Sequence, residues 1–320
     1  MIVSVICPVL NEGASIEALI DSLLDQSRPP DEIVIVDGGS SDDTVARVQR
    51  YAAATRSMHL VIAPGTNIAA ARNVAVGAAR GTVIAATDAG CRVDRRWLEF
   101  LTDPFRGSDS VDVVGGAFRS DPRNAFEQSL GATTLPRPDE VRGDDFLPSS
   151  RSIAFRRECW EAVGGYPEWL EHSEDVVFDL ALKRAGYRFA FEPRAIVHFR
   201  PRSTPRSFFR QYFLYARGDG KAGLWPARHA ARYAAYAVGA IIVIAGLRAH
   251  RLWAAGAIAG ALYVARPYAR LLAEARQDGR PPSPIALALV PALRLIGDIA
   301  KMAGYPTGVA WRLSRRRARN

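Results

Sequence analysis

Residues 32–42 read Glu-Ile-Val-Ile-Val-Asp-Gly-Gly-Ser-Ser-Asp, so a short apolar run stops abruptly at a polar, glycine-rich segment. Apolar runs of about four to eight residues that are followed by turn-forming residues are typical of buried parallel strands. The segment after the run supplies Ser and Asp side chains that can cap a helix, and it predicts a helix ending near residue 54. A strand, a short turn and a helix are therefore the first unit of organisation in this chain.

The same unit recurs on both sides of this segment. Short apolar runs alternate with runs of helical spacing, and the connections between them are short. Right-handed crossovers between such units predict an α/β fold with one open, mostly parallel, Rossmann-like sheet flanked by helices. The predicted strands here are 2–8, 32–36, 58–63 and 82–87, and the predicted helices are 14–26, the one ending near 54, and 67–79.

The pattern becomes less regular after about residue 104. Residues 131–150 are rich in Pro, Asp and Arg, which predicts a mobile loop. Further strands are predicted at 111–116, 152–155, 188–191 and 195–198, with a helix at 174–185.

Three polar or glycine-rich segments, Pro8–Glu12, Asp37–Asp42 and Thr87–Cys91, follow predicted strands. Ligands of open α/β sheets bind outside the carboxyl ends of the strands, where these segments would meet. Asp37 could accept hydrogen bonds from a nucleobase N–H or from ribose hydroxyls, and the glycines after it would let a nucleotide approach the backbone. Each segment also has a plainer interpretation as a turn with a capping side chain.

Charged side chains outside these segments suggest further chemistry. Arg72 suits a diphosphate or pairing with a nearby carboxylate. The adjacent Glu174-Asp175 could provide a general base for an acceptor hydroxyl, or could merely match the dipole of a helix start. His198 is either a metal ligand or a hydrogen-bonded histidine at a strand end. Arg217 and Lys221 could reach a diphosphate leaving group or contact lipid phosphates.

The composition restricts the class of protein. With 320 residues, the chain is long enough for about two structural units. Its three cysteines are far apart, which excludes a disulfide scaffold and a structural zinc cluster. Residues 217–320 hold 17 Lys and Arg against four Asp and Glu, whereas residues 1–216 hold 25 against 29. Because the basic third also carries the longest apolar runs, it predicts a membrane surface as partner and no nucleic acid.

The C-terminal third is predicted to be membrane-associated. Residues 204–217 mix aromatic residues with arginines, as in an amphipathic helix lying at a bilayer surface. The apolar stretches 233–247 and 252–265 predict a helical hairpin over about 233–265. Each is shorter than the ~20 residues of a full span, so spanning and dipping both stay open. A third stretch, 285–296, and the arginine-rich tail 312–319 are predicted to lie in the interface.

Together these residues resemble the family 2 inverting glycosyltransferases of GT-A fold, in their membrane-associated form. The resemblance covers about residues 1–220. The opening run through Asn11-Glu12 resembles the family's first strand with its Pro-x-x-Asn-Glu ending, and Asn67–Asn73 ends in its Ala-Arg-Asn. Its Asp-Asp-Gly-Ser, Asp-x-Asp and Glu-Asp motifs are similar to Asp37–Asp42, Asp88–Gly90 and Glu174-Asp175.

This resemblance implies roles for individual residues. Asp175 would be the base, with Glu174 beside it, and Asp88 would contact the ribose or a metal. A divalent metal, Mn²⁺ or Mg²⁺, would be held by Asp88 and His198. The donor would be bound by Pro8, Asn11, Glu12, Asp37, Arg72, Asp88, Arg217 and Lys221.

The sequence departs from the family pattern at Gly38 and Gly90, each of which stands where the second acid of a motif is usual. Gly90 removes the usual metal ligand. The metal would then be held by Asp88, His198 and the donor's diphosphate, or be bound weakly, or be absent. In the last case Arg217 and Lys221 would supply part of its charge.

The prediction is therefore an inverting glycosyltransferase with its transferase domain at 1–220 and a basic, apolar membrane region at 221–320. It would move a sugar from a nucleoside diphosphate sugar to a hydroxyl of a lipid-linked or cell-surface glycan. We expect it at the inner membrane, with the catalytic domain in the cytoplasm. The main alternative is a non-catalytic, transferase-like scaffold in a polysaccharide assembly complex, which Gly90 favours.

Two further alternatives are disfavoured by motifs that the chain lacks. A nicotinamide-dependent Rossmann enzyme would carry Gly-x-Gly-x-x-Gly after its first strand, whereas residues 8–15 read Pro-Val-Leu-Asn-Glu-Gly-Ala-Ser. A processive synthase of the same family would carry Gln-x-x-Arg-Trp, but Gln211 is followed by Tyr-Phe-Leu.

Overall fold

The computed structural model describes residues 1–107, 111–141, 146–277, 279 and 281–317. The chain packs into two compact units: Met1–Arg119 with Pro136–Arg200, and Ser120–Leu135 with Pro201–Asn320. The functional division at residue 220, predicted from the sequence, differs from this packing and stays a prediction.

The first unit contains an eight-stranded mixed sheet. Its first half is parallel, as predicted, and its second half is built from antiparallel pairs, with β7 pairing antiparallel to β4 and β6, and β5 to β8. The strand order is β3-β2-β1-β4-β7-β6-β8-β5. The strands are β1 (Val3–Val9), β2 (Glu32–Asp37), β3 (Met58–Ile62), β4 (Val83–Ala86), β5 (Cys91–Val93), β6 (Val113–Ser120), β7 (Ile153–Arg156) and β8 (Phe189–Phe199).

The other regular elements are helices, which are divided between the two units. The α-helices of the chain are α1 (Ile16–Leu24), α2 (Thr44–Ala54), α3 (Ile68–Ala78), α4 (Trp97–Thr102), α5 (Ala125–Thr134), α6 (Arg157–Val163), α7 (Glu174–Arg184), α8 (Pro205–Ala222), α9 (Pro226–Gly246), α10 (Arg251–Gln277) and α11 (Pro284–Arg317). Short 3-10 helices lie at Asp103–Arg106 and Pro138–Glu140. Helix α5 and helices α8 to α11 belong to the second unit.

The two central strands β1 and β2 are buried along their whole length. Alternate residues face opposite sides of the sheet, so Val5 joins a core with α1 while its neighbour Ile6 joins a core with α3. This two-sided burial is why the strands have nearly continuous apolar sequences rather than alternating ones. The register places Val9 of β1 opposite Asp37 of β2, so both strands end at the same edge.

The later part of the first unit differs from the predictions in detail. Strand β5 and helices α4 and α6 were not predicted, and the two short strands expected at 188–191 and 195–198 are one strand, β8. The predicted mobile loop at 131–150 begins inside α5, whose start is capped by the Asn124 side chain accepting from the Glu127 N–H at 2.9 Å. Residues 142–145 of that predicted loop lie outside the described residues.

The second unit is helical. The predicted apolar stretches 233–247 and 252–265 lie in α9 and α10, which extend beyond them, and the stretch 285–296 lies in α11. Helix α11 packs closely on α8: a Cβ on Gly304 would lie 2.1 Å from the Phe213 carbonyl oxygen, and one on Gly308 would lie 2.1 Å from the Arg217 carbonyl oxygen. The two backbones can meet this closely only because glycines face the partner helix.

Among the residues that the structure describes, α9 alone is both long and apolar enough to cross a membrane by length and composition. Its 18-residue apolar window has a mean hydropathy of 1.3, and only 11% of that window is buried. An apolar helix that packs so little of its surface against protein is consistent with contact to lipid.

Candidate active site

The loops after β1 and β2 are joined by Asn11. This residue has a left-handed backbone with φ of 54°, a conformation that Asn tolerates better than most residues. Its N–H donates to the Ser40 Oγ at 2.8 Å, and its Oδ1 accepts from the Ser41 N–H at 2.8 Å. Asn11 thereby holds two of the three predicted ligand-binding segments together at one edge of the sheet. Pro8, also predicted to line the donor pocket, is buried in β1 just before them.

Asp37 lies buried at the carboxyl end of β2. Its Oδ1 accepts from the N–H groups of Gly39 and Ser40, both at 2.9 Å. Its Oδ2 is buried and has no hydrogen-bond partner among the residues that the structure describes. A buried acceptor without a partner usually receives one from a ligand or from water, so this oxygen is suited to a nucleobase N–H or a ribose hydroxyl.

The segment after Asp37 passes close to a neighbouring loop, which accounts for its glycines. Gly39 has φ of 105°, which side chains rarely adopt, and a Cβ on Gly38 would lie 3.1 Å from the Thr66 carbonyl oxygen. An acid at position 38 would therefore be crowded here, and Gly38 fits this local geometry.

Arg72 on α3 is almost fully buried and connects two acids that are distant in sequence. Its Nη1 donates to Glu174 Oε1 at 2.6 Å, and its Nη2 donates to Asp88 Oδ1 at 2.8 Å. Burial opposes the charge of Arg72, but the carboxylates of Asp88 and Glu174 outweigh it and hold its pKa above the usual value. One guanidinium thus fixes the loop after β4 and the start of α7 relative to each other.

Asp88 has both carboxylate oxygens occupied. Besides Arg72, Arg151 donates its Nε–H to Asp88 Oδ2 at 3.1 Å. Burial favours the neutral acid, yet Arg72 and Arg151 lower the pKa of Asp88, so it is ionised at neutral pH. Arg151 was not predicted from the sequence, because it stands in the irregular segment before β7 and belongs to no recognisable motif.

The two members of the acidic pair, Glu174 and Asp175, have different surroundings. Ser173 precedes α7 with φ of 64°, and Glu174 points inward to Arg72. Burial and the adjacent Asp175 raise the pKa of Glu174 to about 7, against the attraction of Arg72. Asp175 is only half-buried, and its Oδ1 accepts from the Val176 N–H at 2.9 Å. Asp175 is therefore the acid of the pair that a substrate can reach.

Asp179, one helical turn after Asp175, was missed by the sequence analysis. Its side chain is fully buried, and within the described part of the chain neither carboxylate oxygen has a hydrogen-bond partner. Burial and the charge of Asp175 raise its pKa well above the usual value, which favours the protonated acid. An acid on a helix otherwise looks like a solvated residue, and no sequence signal distinguished this one.

The contacts of Asn73 explain the last residue of the Ala-Arg-Asn motif. Asn73 Oδ1 accepts from the Trp160 Nε1–H at 3.0 Å and from the Tyr166 N–H at 2.8 Å, and its Nδ2 donates to the Tyr166 carbonyl oxygen at 2.8 Å. The Tyr166 ring in turn stacks on Phe178 of α7, with 4.1 Å between ring centroids. Asn73 therefore anchors the segment that leads into the acidic pair.

The predicted metal ligands do not form a ready-made site. His198 Nε2 lies 2.6 Å from Asp94 Oδ1, and both oxygens of Asp88 contact arginines. Within the described ranges, no group of three or more His, Cys, Asp or Glu side chains is arranged to hold a metal ion. A Cβ on Gly90 would lie 3.9 Å from Glu12 Oε2, so Glu12 brings a carboxylate close to position 90.

Two of the remaining predicted donor-binding residues belong to the second unit. Arg217 and Lys221 are on α8 of the second unit, where the Lys221 ammonium lies 4.9 Å from the centre of the Trp311 ring. Their contact with a donor diphosphate stays a prediction. Cys91 is buried, and burial raises the pKa of its thiol to about 12, which agrees with a packing role.

Comparison with known proteins identifies the family. The family model described as Glycosyl transferase family 2 matches residues 4–158. The succinoglycan biosynthesis protein ExoA of Rhizobium meliloti (strain 1021) is 32% identical over 227 residues, which are 68% of this chain and 68% of that protein. The chain belongs to glycosyltransferase family 2. This family 2 glycosyltransferase is also 25% identical to the O-antigen chain rhamnosyltransferase RfbN of Salmonella typhimurium (strain LT2), over 67% of the chain and 71% of that protein.

The family 2 glycosyltransferase also has structural neighbours of the predicted GT-A fold. The mannosyltransferase PcManGT from Pyrobaculum calidifontis, solved in complex with GDP-Man and Mn²⁺, superimposes with a TM-score of 0.55 at 23% identity, covering 97% of this chain and 86% of that one. This likeness confirms the fold. The prediction that the protein is an enzyme of this family is confirmed as well.

Proposed function

We propose that the protein is an inverting glycosyltransferase that moves a sugar from a nucleoside diphosphate sugar to a hydroxyl of a lipid-linked or cell-surface glycan. The observation that carries the proposal is the Arg72 bridge between Asp88 and Glu174. It joins the ligand-binding edge of the sheet to the helix start that bears Asp175. A donor held at that edge would therefore lie next to a reachable carboxylate.

The reaction is a single displacement. Asp37 Oδ2, which has no partner among the described residues, receives a hydrogen bond from the nucleoside. Asp175 removes the proton of the acceptor hydroxyl as its oxygen attacks the anomeric carbon from the face opposite the diphosphate. The bond between that carbon and the diphosphate oxygen breaks, and the nucleoside diphosphate leaves with the electron pair. Glu174, held by Arg72, fixes the position of the start of α7 and does not contact the substrate.

A divalent cation, Mn²⁺ or Mg²⁺, remains part of the proposal because the mannosyltransferase neighbour was crystallised with Mn²⁺ and the family resemblance implies one. Such an ion would supply positive charge to the departing diphosphate. The described side chains offer no complete ligand group, so we propose that the ion enters together with the donor.

The acceptor is proposed to be part of an envelope polysaccharide. The similar proteins are named for succinoglycan biosynthesis and for O-antigen chain rhamnosyl transfer. The basic excess of residues 217–320 and the poorly buried α9 support attachment to the inner membrane with the catalytic unit in the cytoplasm.

The test is nucleotide release by the full-length, detergent-solubilised protein from UDP-, GDP- and dTDP-sugars, with a lipid-linked glycan acceptor mixture. We expect the wild type to release one nucleotide. Asp175→Asn should lose about 10²–10⁴-fold in kcat, because it removes a positioned general base, while donor affinity stays within a factor of a few. Asp25→Asn, an exposed acid outside the site, is the matched control.

The scaffold alternative makes the opposite prediction. Because Gly90 removes an acid that the family usually carries, a non-catalytic role would leave Asp175 unused. Full complementation of a deletion strain by Asp175→Asn would favour the scaffold and contradict the proposed enzyme.

A further inference from the structure

A buried polar cluster lies among helices α8 to α11 of the second unit, and Asp298 is its acid. Arg232 donates its Nε–H to Asp298 Oδ1 at 3.0 Å. The Tyr263 hydroxyl donates to Asp298 Oδ2 at 2.8 Å, and the Tyr236 hydroxyl lies 3.3 Å from the same oxygen. Asp298 is 7% exposed, and each of its two oxygens accepts a hydrogen bond from these side chains.

Two further cations on α11 have no such partner. Arg294 and Lys301 stand four residues before and three after Asp298, so all three share one face of the helix. The Arg294 guanidinium lies over the Tyr263 ring at 4.6 Å, and its buried Nε has no hydrogen-bond partner among the described residues. The Lys301 ammonium lies 4.9 Å from the centre of the Tyr212 ring. Within the described part of the chain, neither forms an ion pair.

Positive charge is therefore in excess here. Burial lowers the pKa of Lys301 to about 8, and although Asp298 counteracts this, the charges of Arg232, Arg228 and Arg294 add to it. Partly buried cations are costly unless an anion pairs with them. We call Arg232, Arg294 and Lys301 the cation cluster.

An exposed apolar hairpin begins next to the cation cluster. Tyr236 of α9 and Tyr263 of α10 share a hydrogen bond of 2.9 Å between their hydroxyls, so they lie side by side at the base of the hairpin. Between them the chain runs out along α9 and returns along α10, with Trp253 packed against Gly246 near the turn. The exposed large apolar side chains in this part are Val238, Ile241, Val243, Ile244, Leu247, Trp253, Ile258 and Leu262.

The length of this hairpin fits half a bilayer. Residues 237–246 are the part of α9 beyond Tyr236, and ten helical residues extend about 15 Å. The hydrocarbon core of a bilayer is about 30 Å thick. A hairpin inserted to that depth would stay within one leaflet, and the cation cluster at its base would lie at the level of the lipid phosphates.

We propose that the cation cluster binds the phosphate or diphosphate group of a lipid whose chain lies along the α9–α10 hairpin within one leaflet. Arg294 and Lys301 provide unpaired donors for phosphate oxygens, since Arg232 is already held by Asp298. The exposed apolar side chains next to the cluster argue for a lipid rather than a free phosphate. The inference rests on the proposed function in one respect only: the bound lipid would be the lipid-linked acceptor of the transferase.

The experiment measures binding of the full-length protein, exchanged from detergent, to three kinds of vesicle. One contains phosphatidylcholine alone, one adds a long-chain polyprenyl phosphate, and one adds phosphatidylglycerol at matched surface charge. We expect at least ~10-fold tighter binding to the polyprenyl phosphate vesicles than to the phosphatidylglycerol vesicles, because each lost charged hydrogen bond costs about that factor. Equal binding to both would overturn the proposal.

Variants test whether the named residues are responsible. Arg294→Gln with Lys301→Gln should abolish the preference for polyprenyl phosphate. Arg210→Gln with Arg276→Gln changes the charge equally at exposed positions and should keep the preference. Lys301→Arg should keep it too, and it separates loss of the site from loss of the fold, with circular dichroism as the check. A preference that survives the first double variant would contradict the assignment.

Two controls separate the possible ligands and functions. Free pyrophosphate at millimolar concentration should compete weakly, and displacement as effective as that by the polyprenyl phosphate would overturn the lipid as ligand. Asp175→Asn should bind the polyprenyl phosphate vesicles like the wild type. Failure of the lipid site and failure of the proposed transferase reaction are thus measured independently.

Discussion

Arg72 is the residue on which the site depends most. It is 2% exposed and serves Asp88 and Glu174 at once through the two ends of a planar guanidinium. A lysine ammonium is a point charge and cannot hold two acids in this fixed geometry. The acids would then be left buried and incompletely paired, which is far more costly than losing an exposed ion pair.

We predict that Arg72→Lys lowers kcat/KM by ~100-fold or more and also lowers the thermal unfolding midpoint. Turnover with the identified donor and thermal unfolding of the same preparation measure both effects. Arg50→Lys, which changes an exposed ion pair with Glu17, should leave both within experimental error. Wild-type turnover in Arg72→Lys would show that the bridge has no part in the reaction.

The pKa of Glu174 predicts a pH dependence of stability. Because it is raised to about 7 from an ordinary value of 4.5, the folded state favours the protonated acid. The stability contributed by this acid is fully present below about pH 4.5 and is lost as the pH rises through 7. Relative to Glu174→Gln, which cannot ionise, the wild type should therefore lose free energy of unfolding between pH 5 and pH 8.

Chemical denaturation of both proteins at these two pH values provides the measurement. The difference should be of order 3 kcal/mol at most. A constant difference between wild type and Glu174→Gln would contradict the elevated pKa.

The occupied oxygens of Asp88 predict how a metal ion binds. Since the described side chains form no ligand group, the free protein should bind Mn²⁺ no better than an Asp88→Asn variant does. Addition of the nucleoside diphosphate released in the turnover assay should create a Mn²⁺ site, because the diphosphate brings its own oxygens. Electron paramagnetic resonance of free Mn²⁺ detects this directly. Tight Mn²⁺ binding without nucleotide would contradict the prediction.

At the scale of elements, the parallel half of the sheet was predictable and the antiparallel half only in part. Strands β1 to β4 alternate with helices at short range, so apolar runs and turn residues were sufficient. Strand β5 has three residues and exists only because it pairs with β8, more than a hundred residues later. The segment Glu192-Pro193-Arg194 interrupts the apolar pattern of β8 and made one strand look like two. Long-range pairing of this kind leaves little local signal.

The site shows the same limit. The motifs indicated Asp37, Arg72, Asp88 and the acidic pair, and the structure brings Arg72, Asp88 and Glu174 into contact. Arg151 and Asp179 were missed, because neither belongs to a motif and burial is visible only in the fold. A role for His198 stays a prediction, whereas its contact with Asp94 results from the pairing of β5 with β8.

The close packing of α8 on α11 predicts a strong effect of a single methyl group. Gly304→Ala would place a Cβ 2.1 Å from the Phe213 carbonyl oxygen, so the helices must separate. We expect a loss of about 1–3 kcal/mol in the free energy of unfolding. Gly260→Ala in α10 is the matched control, since no atom lies within 4 Å of its added Cβ. A Gly304→Ala protein as stable as this control would contradict the close contact.

At the scale of the whole molecule, charge and hydropathy are divided along the chain. The C-terminal third is strongly basic and carries the exposed apolar hairpin, while the first two thirds are slightly acidic. Such a distribution favours one orientation toward an anionic bilayer, with the hairpin inserted and the basic residues at its surface.

Trp253, near the turn of the hairpin, reports insertion. We expect brominated lipids to quench part of the tryptophan fluorescence of the membrane-bound protein, because this exposed indole would lie within the acyl chains. Trp253→Phe should remove most of that quenching. Trp169→Phe, a change at an exposed tryptophan of the first unit, should not. Equal quenching in wild type and Trp253→Phe would show that the hairpin stays outside the bilayer.

The Arg72 bridge also has a consequence for the order of folding. Asp88 lies 16 residues after Arg72, but Glu174 lies 102 residues after it. During synthesis the parallel half of the sheet can form, and Arg72 can pair with Asp88, well before α7 leaves the ribosome. Until then only Asp88, one of its two carboxylate partners, compensates the charge of this buried guanidinium. The edge proposed to bind the nucleotide is thus assembled early, and the proposed base joins it only when α7 docks as one of the last long-range contacts of its unit.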